Sequence, residues 1–92
     1  MTVAQTNELS IENVKSQLRQ FILKELLMGR VASLADDDEL LLSGLVDSLG
    51  AVRLITFIET ELNAKIPPED VIIENFQSVD AMAAYLAGRA HS

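Results

Sequence analysis

At 92 residues, with 49% hydrophobic and only 4% aromatic residues, the chain is a single small domain whose core must be aliphatic. The absence of cysteine excludes a disulfide framework, a thiol nucleophile, a zinc knuckle and an iron–sulfur site. The formal net charge of −7 argues against nucleic acid and anionic membranes as partners and steers the chain toward basic protein surfaces, although such a charge also simply keeps a small domain soluble.

The charge is uneven. Residues 36–80 hold eleven acids against Arg53 and Lys65, whereas residues 1–35 hold three acids and four bases. The start, Met1-Thr2-Val3-Ala4-Gln5-Thr6-Asn7, lacks the basic and apolar blocks of a signal peptide, and no apolar run approaches the roughly 20 residues that span a bilayer. A cytoplasmic location is therefore expected. The sole histidine, His91, sits next to the last residue, a poor place for acid–base or metal chemistry.

In chain order, Ser10 suits a helix N-cap, with Leu9 placed to staple against Val14. Ile11, Val14, Leu18, Phe21, Ile22 and Leu26 fall on one helical stripe, and Gly29 suits the stop, which predicts a helix over 10–28. Residues 30–46 have no sustained period. This connection is long for a compact domain, yet its leucines predict that it is pinned to the core, with a short helical turn at 38–42. Asp36-Asp37-Asp38-Glu39 lacks the alternating spacing and central glycine of a calcium loop and reads as a solvated charge run.

Asp47-Ser48 opens a second helix, with Ala51, Leu54, Ile55, Ile58 and Leu62 as its core stripe. At about 100° per residue, Leu49, Val52, Arg53, Thr56, Glu59 and Thr60 point away from that stripe. Leu49 and Val52 thus have no obvious core to enter. Pro67-Pro68 halts the chain and predicts a short helix near 68–73 carrying Val71, Ile72 and Ile73. Ser78 caps a final helix with Val79, Met82, Ala83 and Leu86 as its stripe and Gly88 at its end. The expected fold is all-α: a four-helix bundle of three long helices and a short third, with a long loop between the first two.

Missing chemistry narrows function further. Ser48 has no histidine base in plausible reach, no glycine-rich loop exists to cradle a nucleotide, and no metal site is expected. An enzyme is not expected, so there are no catalytic residues to name. Ser48 is nevertheless suited to one modification. A phosphate ester there would sit near a helix's positive end and its unpaired N–H groups, and Asp47 beside it could meet a metal ion brought by a partner enzyme. The plain alternative is that Asp47 or Ser48 merely caps the helix.

Gly44-Leu45-Val46-Asp47-Ser48-Leu49, followed by an amphipathic helix, resembles the attachment site of acyl carrier and peptidyl carrier proteins. Ile66-Pro67-Pro68-Glu69-Asp70 looks like that family's lead-in to its short third helix, and Asn75-Phe76-Gln77-Ser78-Val79 like the approach to its last helix. The resemblance covers roughly residues 10–88. It implies a carrier domain over 10–88, between an N-terminal extension at 1–9 and a tail at 89–92. It also implies that Ser48 bears 4′-phosphopantetheine from coenzyme A, with Asp47 beside it, and that the terminal thiol of the arm holds an acyl or aminoacyl group as a thioester. The partners it implies are a phosphopantetheinyl transferase, a dedicated acyl- or amino-acid-loading ligase and downstream transferases, with the carrier itself a monomer. Leu49, Val52, Arg53 and Thr56 would then form the docking face.

Fatty-acid carriers usually place acids soon after the serine, where this chain has Gly50 and Arg53, and synthetase-embedded peptidyl carriers usually read Gly-Gly-His/Asp-Ser, which this chain lacks. The pattern looks more like a free-standing carrier of a specialised pathway. A fatty-acid or polyketide carrier is the alternative within the family, and an unmodified helical interaction module is the alternative outside it. Arg53 serves either partner selectivity or a pairing with an acid of its own chain.

Overall fold

The computed structural model describes residues 10–90, so the expected extension 1–9, the Leu9 staple and His91 lie outside the described residues. Among those residues the chain is all-α, with no strand. Four α-helices follow one another: α1 (Ile11–Phe21), α2 (Ser48–Glu61), α3 (Ile73–Phe76) and α4 (Val79–Ala90). Both α1 and α3 pack against α4. No helix among the described residues is long and apolar enough to cross a membrane.

The start of α1 follows the sequence pattern: Ser10 is its N-cap, accepting from the Asn13 N–H at 3.1 Å. Its end does not. From Ile22 to Leu26 the chain widens into a π-turn, and the Leu27 N–H donates to the Ile22 carbonyl five residues back, at 2.8 Å. The wider turn moves the core stripe by one residue. Leu27, rather than the expected Leu26, is fully buried with Leu18 and Ile22, and Leu26 is only half-buried. Left-handed Met28 and Gly29 (φ 49° and 81°) then stop the helix where the glycine was expected to.

The stretch from 30 to 46 forms turns rather than helix, the expected turn at 38–42 giving way to hydrogen-bonded turns over 41–44. Leu34, Leu40 and Val46 are buried, as the pinning expectation requires. Backbone bonds fasten it at the N-terminal end of α4: the Leu40 N–H donates to the Gln77 carbonyl at 2.7 Å and the Asp80 N–H to the Asp36 carbonyl at 2.9 Å. The acid run is solvated in part, as expected, with Asp37 and Asp38 exposed, but Asp36, Asp38 and Glu39 also have partners in the fold. Asp36 pairs with Arg19 and, at 3.9 Å, with Lys15, which also reaches Asp80 at 2.9 Å. The Asp38 carboxylate accepts from the Ala35 N–H, and Glu39 accepts from the Ser43 N–H. Acids that cap local turns and meet bases on α1 hold this stretch in place.

In α2, Leu54 and Ile58 are buried, with Ala51, Ile55 and Leu62 packed beside them, matching the expected stripe. Phe57, outside that stripe, stacks on Phe21 with ring centroids 4.3 Å apart. Glu59, expected to face away, is half-buried and accepts from the Ile66 N–H at 3.2 Å.

The expected short helix over 68–73 is replaced by two pieces. A single 3-10 turn spans Pro68–Asp70, Ile72 is extended (φ −128°, ψ 158°), and α3 starts only at Ile73. Val71, Ile72 and Ile73 are β-branched and remain substantially exposed, so neither propensity nor burial favours a continuous helix through them. Ser78 caps α4 as expected, accepting from the Ala81 N–H at 3.0 Å. α4 continues through Gly88, whose φ is not left-handed, instead of ending there.

Candidate functional site

The site is built where the 30–46 stretch hands over to α2. Gly44 makes the last turn before it: its N–H donates to the Leu41 carbonyl at 3.2 Å and its φ of 84° lies where side chains are strained. The Val46 N–H returns to the Leu40 carbonyl at 2.9 Å and its side chain is buried, anchoring the residue before the site. Asp47 follows in extended conformation as the N-cap of α2, its Oδ1 accepting from the Gly50 N–H at 2.8 Å and its carbonyl from the Ala51 N–H at 2.8 Å.

Two adjacent residues were candidates for the cap, and the geometry divides the labour between them. Asp47 caps; Ser48 is the first residue of the helix proper. Ser48 is exposed, and its Oγ makes no hydrogen bond among the described residues. The N–H groups of Ser48 and Leu49 likewise find no acceptor among the described residues, as the first turn of a helix leaves them. A spare hydroxyl thus stands on a helix end with unsatisfied donors, the arrangement that suits a phosphate ester.

Gly50 keeps this corner tight. A Cβ on it would lie 3.1 Å from Val46 Cγ1 and 3.2 Å from Asp47 Oδ1, so a side chain there would press on the capping carboxylate. Beside the corner runs a cleft of about 250 Å³, lined by Leu26, Arg30, residues 44–47, Leu49, Gly50 and Arg53. Leu26 and Arg30 were not foreseen here. They come from the π-turn and the residues after it, and the one-residue shift that takes Leu26 off the core stripe leaves it lining the cleft.

The residues expected to dock partners share the outer face of α2. Leu49 is 70% and Val52 58% exposed, far more than core aliphatics, and Leu42 is 73% exposed in the preceding stretch. Thr56 is exposed, its hydroxyl donating to the Val52 carbonyl at 3.1 Å. Arg53 has an intrachain partner: its guanidinium donates to the Glu25 carbonyl at 3.3 Å and lies 3.8 Å from the Glu25 carboxylate. Both ends of that pair are half-exposed, so it holds Arg53 loosely. Among the described residues no group of three or more His, Cys, Asp or Glu is placed to hold a metal ion.

Residues 16–86 match the family model described as a phosphopantetheine attachment site. The chain is also similar to a D-alanyl carrier protein of Streptococcus suis (strain 98HAH33), with 30% identity over 71 residues, 77% of this chain and 89% of that relative.

Proposed function

The chain belongs to the family of carrier proteins built around a phosphopantetheine attachment site, and from that premise we propose that it is a free-standing carrier whose prosthetic arm is attached at Ser48. Family membership makes it a carrier of 4′-phosphopantetheine rather than an enzyme, served by a phosphopantetheinyl transferase and by biosynthetic enzymes. The observation that carries the assignment to Ser48 is the division of labour at the head of α2: Asp47 supplies the cap, which leaves the Ser48 hydroxyl exposed and without a bond among the described residues. When attached, the arm supplies a terminal thiol for a thioester, a group that this cysteine-free chain does not itself contain.

The chain's own residues provide the setting. Gly44 and buried Val46 fix the approach to the helix, Asp47 holds the first turn closed, and the N–H groups of Ser48 and Leu49, without an acceptor among the described residues, would favour the negative charge of a phosphodiester on Ser48. Leu49, Val52, Arg53 and Thr56 form the docking face on a four-helix bundle of three long helices and one short, joined by the long loop, with the carrier domain over 10–88. The carrier acts as a monomer in the cytoplasm. The group carried is an acyl or aminoacyl unit of a specialised pathway, delivered by a dedicated ligase and consumed by downstream transferases. The D-alanyl carrier protein to which the chain is similar favours the aminoacyl unit.

Intact-protein mass after incubation with coenzyme A, magnesium and a broad-specificity phosphopantetheinyl transferase tests the proposal. The wild type gains one phosphopantetheinyl group, and Ser48→Ala gains none while keeping its helical spectrum. A wild type that gains nothing refutes the carrier reading in favour of an unmodified interaction module. An arm-bearing protein that accepts a fatty acyl group from its ligase and refuses amino acids refutes the aminoacyl assignment.

A further inference from the structure

We infer that Arg30, helped by Arg53, binds the phosphodiester of the arm and lays the first part of the arm along the cleft beside Ser48. The inference rests on the reading that Ser48 bears the arm, and it concerns residues to which that reading assigns no contact with the arm.

Arg30 stands out by its company. In a chain of net charge −7, Lys15 and Arg19 are committed to Asp36 and Asp80, and Arg53 is shared with Glu25. Arg30, like Lys24 and Lys65, makes no ion pair among the described residues, but of these three it is the one that lines the cleft, whose lining includes Asp47 and Leu49 on either side of Ser48 in the chain. Its guanidinium is aimed by the π-turn. The Nε–H donates to the Leu27 carbonyl at 3.1 Å and Nη2 to the Leu26 carbonyl at 3.5 Å, which fixes the planar group from one side. A guanidinium carries five donors, so the rest remain free for an anion.

The cleft's charges fit the group. Arg30, Arg53 and Asp47 line it together, formally two cations and one anion, and Asp47 Oδ1 is turned to the Gly50 N–H. Because Arg53 is also drawn to the Glu25 carboxylate 3.8 Å away, Arg30 is the lining cation left for the negative charge of a phosphodiester on Ser48. Leu26, Leu45 and Leu49 add a smaller apolar part to a mainly polar lining, and that part suits the methyl-rich segment that follows a pantetheine phosphate. At about 250 Å³ the cleft is smaller than a pocket that swallows a whole drug-sized ligand. It therefore seats the root of the arm and leaves the thiol end free to reach partners.

An exposed cation at an anion changes the population of a contact by a modest factor, about two- to five-fold, and salt weakens it. The test uses the protein with its arm attached. Phosphorus NMR of the phosphodiester is compared for wild type, Arg30→Gln, Arg30→Lys and Arg53→Gln, and the Arg30 Nε–H signal is followed in the wild type before and after attachment. The expected result is a phosphorus resonance that moves by more than its line width in Arg30→Gln, moves less in Arg53→Gln, returns toward wild type in Arg30→Lys, and converges among all four in high salt. The Arg30 Nε–H should shift on attachment, an observation that needs no variant and is untouched by any loss of the cap on the π-turn. Full attachment with identical phosphorus resonances and an unmoved Nε–H overturns the role of Arg30 and leaves the carrier assignment standing. Failure of the wild type to accept the arm overturns both.

Discussion

Asp47→Ala should loosen the start of α2, and Ser48→Ala should leave stability unchanged, although both residue types are good helix caps. The contrast follows from which oxygen is used. Asp47 Oδ1 holds the Gly50 N–H at 2.8 Å, whereas Ser48 Oγ holds nothing among the described residues. Losing an N-cap costs about 0.5–2 kcal/mol, and a carboxylate at the positive end of a helix contributes a further 0.3–1 kcal/mol or so. Asp47→Ala should therefore cost about 1–3 kcal/mol. Asp47→Asn keeps the acceptor and loses only the charge, so it should cost about 0.3–1 kcal/mol. Ser48→Ala removes an exposed, unbonded hydroxyl and installs a better helix former, which keeps the change within about 0.5 kcal/mol. For a domain of this size each kcal/mol corresponds to about 4–8 °C in Tm. Thermal melts of the four proteins without the arm, followed by far-ultraviolet circular dichroism, make the comparison. A Ser48→Ala protein that melts as early as Asp47→Ala refutes the division of labour and returns Ser48 to a structural role.

Leu27→Ala should cost about 2–5 kcal/mol, the range for a fully buried leucine, and half-buried Leu26→Ala no more than half as much; the reverse order in urea unfolding would refute the π-turn. Gly44→Ala should cost about 1–2 kcal/mol because its φ of 84° is left-handed and no cavity or contact compensates, and an unchanged melting curve would show that the turn relaxes freely. Lys15 is raised above its ordinary pKa of 10.5, chiefly by its hydrogen bond to Asp80 and then by nearby carboxylates, against an opposing effect of burial. A raised lysine stabilises the fold fully below its unfolded pKa, and that contribution disappears as pH climbs through the folded pKa, so the loss falls above about pH 10.5. Alkaline titration of stability should show this loss in the wild type and a reduced loss in Asp80→Asn; parallel curves would refute the link.

Much of this architecture was legible because it is written in local spacing. The i, i+3, i+4 pattern of Leu54, Ile55 and Ile58 placed α2 in the right register, and Ser10 and Ser78 announced the helices that they cap. The candidate site is a local signal for the same reason, since Gly44 through Leu49 is one short run. What escaped depends on distant or degenerate signals. Leu26 and Leu27 are the same residue type, so nothing in the pattern distinguishes a four-residue return from the five-residue return of a π-turn. Asp47 and Ser48 are both cap formers, and what separates them is which oxygen meets the Gly50 N–H, a matter of the folded backbone. The partners of Asp36 lie on α1, far along the chain, and a run of acids looks solvated until those bases arrive. Arg30 was invisible as a site residue because the π-turn and the left-handed pair after it decide where it points.

The most direct measurement is the position of the attached group within the chain. Trypsin cuts after Arg30 and Arg53 and leaves residues 31–53 as one peptide holding Ser33, Ser43 and Ser48. Fragmentation of that peptide from protein treated with coenzyme A and transferase should place the phosphopantetheinyl group on Ser48 alone, with Ser33 and Ser43 unmodified. A group on Ser33 or Ser43, or on Ser48 to no greater extent than on either, would contradict the claim that the uncapped hydroxyl at the head of α2 is the attachment point.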